Sequence, residues 1–471
     1  MWVEDMEQQL DGAELPSTME KWAKHCIFSV PLRLRKVRTR GDTFRPQTVA
    51  LGPFHHDDRA LRPMEEHKRR AVAHLLRRAG RTLGQVAAAV EEVAGDLEDA
   101  YAGLDDKWRG RNREKFLEMM VADGCFLLED YPYAPSDPIF SPHALKHIAA
   151  FIQRDMLMIE NQLPLILLKR IVTAERDEAP RDSWINALVL KFLCVDEDCV
   201  AEAGPALGLH PLDLYRRSLL RQSSRRAQEV SNNQDNHIKI CCLPTTTSRR
   251  EIRLMQYLPN IRENQQVTCC NREKKKKPPA APRSAQKLWE AGIRFKRSET
   301  NFLDDVSFNG CSRRLRMPRV MLDDSTEHKY RNVMAFEALY EVAGDGGNDV
   351  TAYVMFLKDI VDSAGDVELL RWNGVLAHDL ASDWAVLRLL NRLTKDVAKI
   401  NKSRLCDVHK KVENYCDHSL RVFIFRSWAK LKTTYLSSPW AFIGLVVGIF
   451  LLGTDIIQTS YAVMTYELEK R

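Results

Sequence analysis

The sequence predicts a mostly α protein: a large helical body with a disordered polar insert, followed by one C-terminal transmembrane helix. Three observations carry that expectation. Apolar residues recur at helical spacing over much of the chain, whereas strict alternation and Asn-Gly turns at hairpin spacing are scarce. Residues 222–284 change abruptly to Ser, Asn, Thr, Arg and Lys. The last apolar run, Trp440 to Tyr461, contains a single charge, Asp455. With 471 residues, 45% of them hydrophobic and 28% charged, the chain holds enough apolar material for a large core.

Residues 1–24 form an N-terminal tail. Its start, Met-Trp-Val-Glu-Asp, has neither a basic n-region nor an apolar h-region, so the N-terminal part is expected to stay on the cytoplasmic side with its cysteines reduced. The first part of the body spans 25–221. Met64 to Arg78 is a basic amphipathic stretch, and Lys115 to Glu129 places Phe116, Met119, Met120, Ala122 and Phe126 near one face. Phe151 to Val172 is rich in Leu, Ile and Met.

The insert, 222–284, is too polar to offset its ordering entropy and is expected to be disordered. Its Cys241-Cys242 and Cys269-Cys270 pairs lack the C-x2-4-C spacing of a zinc knuckle. Lys274 to Lys277 has no interleaved aromatics and reads as a solvated charge run, which argues against nucleic acid as a partner. The second part of the body spans 285–438. Asp324 to Glu327 has the D-x-x-E spacing of a helix start, after which Tyr330, Val333, Met334, Phe336 and Tyr340 supply an apolar face. Gly344 to Gly347 ends that helix; Thr351 to Val361 and Asp383 to Ile400 supply two more.

Residues 439–461 are the expected span and 462–471 a short tail. From Trp440 to Tyr461 a helix covers roughly 33 Å, against a hydrocarbon core of about 30 Å. Trp440 and Tyr461 sit where aromatic rings favour the headgroup level. So late a span predicts a tail-anchored, single-pass protein of the plasma membrane or secretory system. Arg421, Arg426, Lys430 and Lys432 precede it without an acid among them, while Lys470 and Arg471 are balanced by Glu467 and Glu469, so the body is expected in the cytoplasm. Gly444, Gly448, Leu451 and Asp455 fall on one narrow stripe of the span, the pattern of a helix that pairs with itself or with another membrane helix.

Three stretches within the body could carry chemistry. Leu51-Gly-Pro-Phe-His-His56 with Met64-Glu-Glu-His-Lys68 supplies His55, His56, Glu65 and His67. The spacing of a paired-histidine metal helix is missing, and a structural role is expected. In Asp155 to Pro164, Glu160, Asn161 and Gln162 interrupt an apolar run; Asn161 is expected to cap a new helix with Pro164 in its first turn, and Arg154 or Lys169 to satisfy the buried polar groups. Asp323, Asp324, Ser325, Glu327 and His328, followed by Arg331 and Asn332, contain the residue types of a hydrolase triad without a G-x-S-x-G elbow, so helix capping is the expected role.

Taken together, these stretches resemble the plant DUF247 (UPF0481) family. Further matching pieces are Asp123-Gly-Cys-Phe126, His210-Pro-Leu-Asp-Leu214, Leu288-Trp-Glu-Ala-Gly292 with Phe295-Lys296, Phe336-Glu337, and Ser438-Pro-Trp440 with Gln458-Thr459. The resemblance runs from about residue 25 to the C-terminus except for the insert, and the chain departs from the usual pattern at Phe54, where Tyr is commoner. It implies a helical body on a C-terminal membrane helix with no established enzymatic activity; the link of some relatives to self-incompatibility in grasses suggests recognition or signalling. The expectation is therefore a membrane-anchored interaction or signalling protein, without cofactor, metal or catalytic residues, whose partners are the bilayer and an unidentified protein. The alternative is a hydrolase-like enzyme at a membrane surface, which requires His55, His56 or His67 to meet Asp323 or Glu160 in a pocket.

Overall fold

A computed structural model describes residues 24–35, 43–130, 144–195, 200, 204–221, 284–340, 347–395, 397, 403–417 and 439–469. The expected insert, apart from Ser284, and the basic cluster from Arg421 to Lys432 lie outside them. The described residues are mainly helical, as the periodicity predicts.

The first part of the body runs through β1 (Ile27–Phe28), α1 (Leu32–Arg35), α2 (Pro63–Ala79), α3 (Leu83–Glu91), α4 (Ala94–Asp99), β2 (Tyr101–Ala102), α5 (Arg113–Asp130), α6 (Ala144–Asp155), α7 (Leu165–Arg176) and α8 (Asp182–Phe192). Local chemistry explains their limits. Pro63 starts α2, where a missing N–H costs nothing; Glu65 and Glu66 occupy the first turn, Arg77 and Arg78 the last, and Gly80 closes it at φ +63°. A capping box starts α3: Gln85 N donates to Thr82 Oγ1 and Thr82 N to Gln85 Oε1. α5 lies at the centre, against α2, α3 and α7. Phe116, Met119, Met120 and Phe126 are buried as expected, whereas Ala122 is half-buried; Val121, Cys125, Leu127 and Leu128 are buried too, so its last turns are enclosed on nearly all sides.

α9 (Pro211–Ser218) closes the first part, and the second comprises α10 (Ala285–Glu290), β3 (Arg294–Arg297), β4 (Ser307–Asn309), β5 (Arg314–Met317), β6 (Val320–Leu322), α11 (Thr326–Leu339), α12 (Asp349–Ile360), α13 (Ala364–Trp372), β7 (Leu376–His378), α14 (Asp383–Thr394) and α15 (Arg404–Asp417). β3, β5 and β4 form a sheet in that order, with β3–β5 parallel and β4–β5 antiparallel. β1–β2 and β6–β7 are parallel pairs. Such short strands leave too few alternating residues to read in advance.

Two hydrophobic cores result. One gathers the buried faces of α2 to α8 and of the β1–β2 pair, the other those of α10 to α15 and of the β3–β5–β4 and β6–β7 sheets. They meet at the turn between α6 and α7: Met156 and Leu163 enter the first core, Leu157 and Ile159 the second.

Two expected helix starts and one expected helix end need correction. α11 begins at Thr326 without a side-chain cap on its N-cap residue, Ser325. Instead Ser325 Oγ and Thr326 Oγ1 both donate to Asp323 Oδ1, Asp324 is exposed, and Glu327 pairs with Arg392 and Arg331. At α7 the N-cap is Pro164, and Asn161 spends its amide elsewhere. α14 stops at Thr394, short of Ile400, with Lys395 extended.

α16 (Pro439–Glu469) is long and apolar enough to cross a bilayer, and none of its Val446–Thr465 segment is buried. It continues past Tyr461, the expected end, because residues 462–469 retain good helix formers.

Gly124 marks the closest approach of α5 to α7. A Cβ there would stand 2.5 Å from Ile171 Cδ1 and 3.2 Å from Leu167 Cγ. Gly124→Ala should be nearly neutral, since a helix-propensity gain of about 1 kcal/mol offsets the displacement of a flexible Ile tip. Gly124→Ile should lower unfolding free energy by about 2 kcal/mol in a denaturant titration, because α5 and α7 must then separate.

Candidate functional site

Seven of the motif residues, Asp155, Glu160, Asn161, Gln162 and Pro164 with His55 and Asn332, meet at the turn from Asp155 to Pro164, which forms a buried polar seam between the two cores. Its side chains hold remote backbone. Asp155 Oδ2 accepts from three successive amides, Gln47 N (3.0 Å), Thr48 N (2.6 Å) and Val49 N (3.0 Å). Asn161 Oδ1 accepts from Leu51 N at 2.7 Å, and its Nδ2 donates to Val49 O and Asp155 O. Gln162 Nε2 donates to Met156 O and Met158 O, both at 2.6 Å, while its Oε1 accepts from Leu212 N at 2.9 Å. Burial pushes the Asp155 carboxyl up from the usual range; the three amide donors oppose it.

Glu160 anchors the N-terminal strand. Its Oε1 accepts from Val30 N (2.6 Å), Ser29 Oγ (3.1 Å) and Arg35, and His55 Nε2 lies 3.3 Å from its Oε2. Burial alone would raise this carboxyl, but the His55, Val30 and Arg35 hydrogen bonds outweigh it and hold Glu160 below the ordinary value. Arg35 is the partner that sequence reasoning missed, and its distance along the chain left no signal. Arg154 instead donates to Gln47 Oε1, and Lys169 pairs with Asp182, so neither serves Glu160 or Asn161 as expected.

Beside the seam, Lys68 is fully buried, 2.6 Å from both Asp123 Oδ1 and Glu65 Oε1. Burial drives its ammonium down, but the two carboxylates outweigh that and keep it charged. Asp123 Oδ2 also accepts from Gly52 N at 2.8 Å. The motif histidines diverge: His55 faces Glu160, His56 packs edge-on to Trp108, and His67 is half-buried on α2. From α11, Asn332 Oδ1 accepts from Ile159 N, and Nδ2 donates to Thr43 O and His328 O. Arg331 Nη2 donates to Arg392 O. His328 Nε2 donates to Arg154 O, so its ring is engaged there rather than with the Ser325–Asp323 pair.

His210 extends the seam to α9. Its Nε2–H donates to Cys26 O, which leaves Nδ1 to accept from Asp213 N. Another buried carboxylate, Glu337 on α11, gathers Arg216, Val350 N and both Thr351 donors. A cavity of about 260 Å³, lined by residues including Arg78, Glu175, Arg176 and Trp184, lies away from these residues.

On α16, a Cβ at Gly444 or Gly448 would meet nothing within 4 Å, and Leu451 and Asp455 are exposed. Thr459 Oγ1 donates to the Asp455 backbone carbonyl at 2.7 Å rather than to its carboxylate.

A helical body tied across two cores by a buried polar turn, with one long apolar helix at its C-terminal end, defines the class. The chain belongs to the DUF247 family, described as plant protein of unknown function, which matches residues 27–454. It is 24% identical over 463 residues to a UPF0481 protein of Arabidopsis thaliana, covering 95% of this chain and 88% of that one. A putative UPF0481 protein of the same plant is 26% identical over 505 residues, covering 96% and 92%. No solved structure matches.

Two predictions follow from the seam geometry. Gly52 has φ +74°, and a Cβ on it would stand 2.7 Å from Tyr101 Oη and 2.9 Å from Gln162 O, groups that hydrogen-bond each other. Gly52→Ala should therefore cost about 3 kcal/mol of stability by chemical denaturation, combining backbone strain with a clash against main chain. Burial also pushes His210 and His328 down to about 4, from about 6.5 in the unfolded chain. Between those values the unfolded state binds more protons. Each histidine thus contributes roughly 3 kcal/mol above pH 6.5 that is lost as pH falls towards 4. His328→Gln, whose amide can still donate to Arg154 O, should remove about one proton's share of the slope of stability against pH, leaving the titration of Asp123 and Asp155 in place.

Proposed function

We propose that this chain is a membrane-anchored interaction or recognition protein whose motif residues are architectural, without catalytic activity of its own. One observation carries the reading: the polar groups most suited to chemistry are already occupied in holding remote backbone. Asp155 faces three amides, Glu160 an amide, a hydroxyl and a guanidinium, and Asn161 and Gln162 the main chain on both sides. The bonds to Glu160 hold its carboxyl below the ordinary value, so it stays ionised and is a poor proton donor near neutral pH. The apolar helix α16 supports the anchor, and the basic cluster before it supports a cytoplasmic body.

The 3.3 Å approach of His55 to Glu160 favours the second reading, a hydrolase-like enzyme at a membrane surface, because the expected histidine–carboxylate pair is present. The other bonds to Glu160 weigh against it.

Proximity labelling from an N-terminal tag in native cells tests the first reading. Expected is a reproducible set of cytoplasm-facing membrane neighbours, enriched over the same tag on an unrelated tail-anchored helix. Labelling no different from that control would sink the interaction reading. Neighbours confined to the opposite side of the membrane would reverse the orientation.

A further inference from the structure

The three-stranded sheet carries a surface that the seam does not use. In β3 and β5, Phe295 and Leu315 point into the core, with Phe308 of β4 half-buried beside them. The alternate positions face solvent. Register places Arg294 beside Arg314 and Lys296 beside Arg316, with Asn309 and Ser307 completing the face on β4. No Asp or Glu occurs on the three strands.

Like charges at directly opposed positions destabilise a sheet. Here two such pairs stand side by side, about 4.8 Å apart across the strands and about 6.6 Å apart along them. Lys296, Arg314 and Arg316 make no ion pair among the described residues, although many other surface cations do. Arg294 rests over the Trp289 ring, 4.0 Å from its centroid, and donates to Trp289 O. Burial against that ring, and the nearby Arg313 charge, push its guanidinium below the usual range. Among the described residues no carboxylate pairs with Lys296, Arg314 or Arg316, which leaves this face open to an external anion.

We propose that this sheet face docks on the anionic headgroups of a lipid bilayer, laying the body against the membrane. The proposal rests on the reading that α16 spans a bilayer, which would hold the face within reach of one. Mobile lipid anions can gather beneath a fixed lattice of cations, whereas an extended acidic peptide turns alternate side chains away from it. The insert, with Arg249, Arg250 and Lys274 to Lys277, has the wrong charge to cover the face. Residues 1–23, with Glu4, Asp5, Glu7, Asp11, Glu14 and Glu20, are the competing occupant within the chain.

The full chain is reconstituted into nanodiscs of phosphatidylcholine alone or mixed with phosphatidylglycerol, and cations are footprinted with an amine-reactive ester and phenylglyoxal, read by mass spectrometry. Lys296, Arg314 and Arg316 should react about fivefold more slowly in the anionic discs, an effect abolished by high salt, while exposed Arg388 on α14 stays unchanged. Arg314→Gln with Arg316→Gln should relieve Lys296 of its lipid-dependent protection and leave the melting temperature equal or higher. Equal labelling in both discs overturns the docking proposal. So does protection already present in neutral discs and lost on deleting residues 1–23, which assigns the face to the acidic tail, or protection in neutral discs only when RNA is added. Failure of the chain to incorporate into discs is a separate result that removes the span itself.

Discussion

The fold depends on satisfying the hydrogen bonds of one buried turn. Between α6 and α7 the chain stops being helical where the two cores meet, and its backbone must find partners away from water. A buried polar group without a partner costs about 1–3 kcal/mol, and a buried charge more. Asn161 and Gln162 answer the local part by donating back to carbonyls of their own turn. Asp155 and Glu160 do more, because each carboxylate collects donors from segments more than a hundred residues away. Val30 and the Gln47–Val49 stretch of the N-terminal segment are held in place by these acceptors.

The same turn couples the cores. Leu157 and Ile159 pack on one side and Met156 and Leu163 on the other, so a displacement of the turn is felt in both. Asn332 also fixes the turn to the N-terminal segment, accepting from Ile159 N and donating to Thr43 O. The buried ion pairs are a different matter. Lys68 with Asp123 and Glu65, and Glu337 with Arg216, are weak sources of net stability because burial costs each charge its hydration. Removing one partner would still be damaging, so such groups specify which elements must meet more than they hold them together.

Helical periodicity made most helices legible, since an apolar stripe at helical spacing has few other uses. α2, α5, α12 and the start of α14 fall close to their expected places. The strands were not legible: three or four residues of alternation, as in Arg314 to Met317, cannot be told from a loop. The polar residues of the seam were visible as interruptions of an apolar run, and their burial could be expected. Their partners could not. Arg154 and Lys169 were near in sequence and wrong in space, while Arg35, Val30 and Leu212 are right only because the chain returns there.

By itself the sequence determined the helical class, the long apolar C-terminal segment, and the set of motifs that places the chain in its family, because all three are written in local composition and order. Tertiary structure alone decided what the motifs do. Whether Glu160 is an acid poised for chemistry or an acceptor for the N-terminal strand turns on groups brought beside it from elsewhere in the chain. Whether Arg294, Lys296, Arg314 and Arg316 are scattered surface charges or one continuous face turns on strand register, which local sequence does not specify when strands are this short.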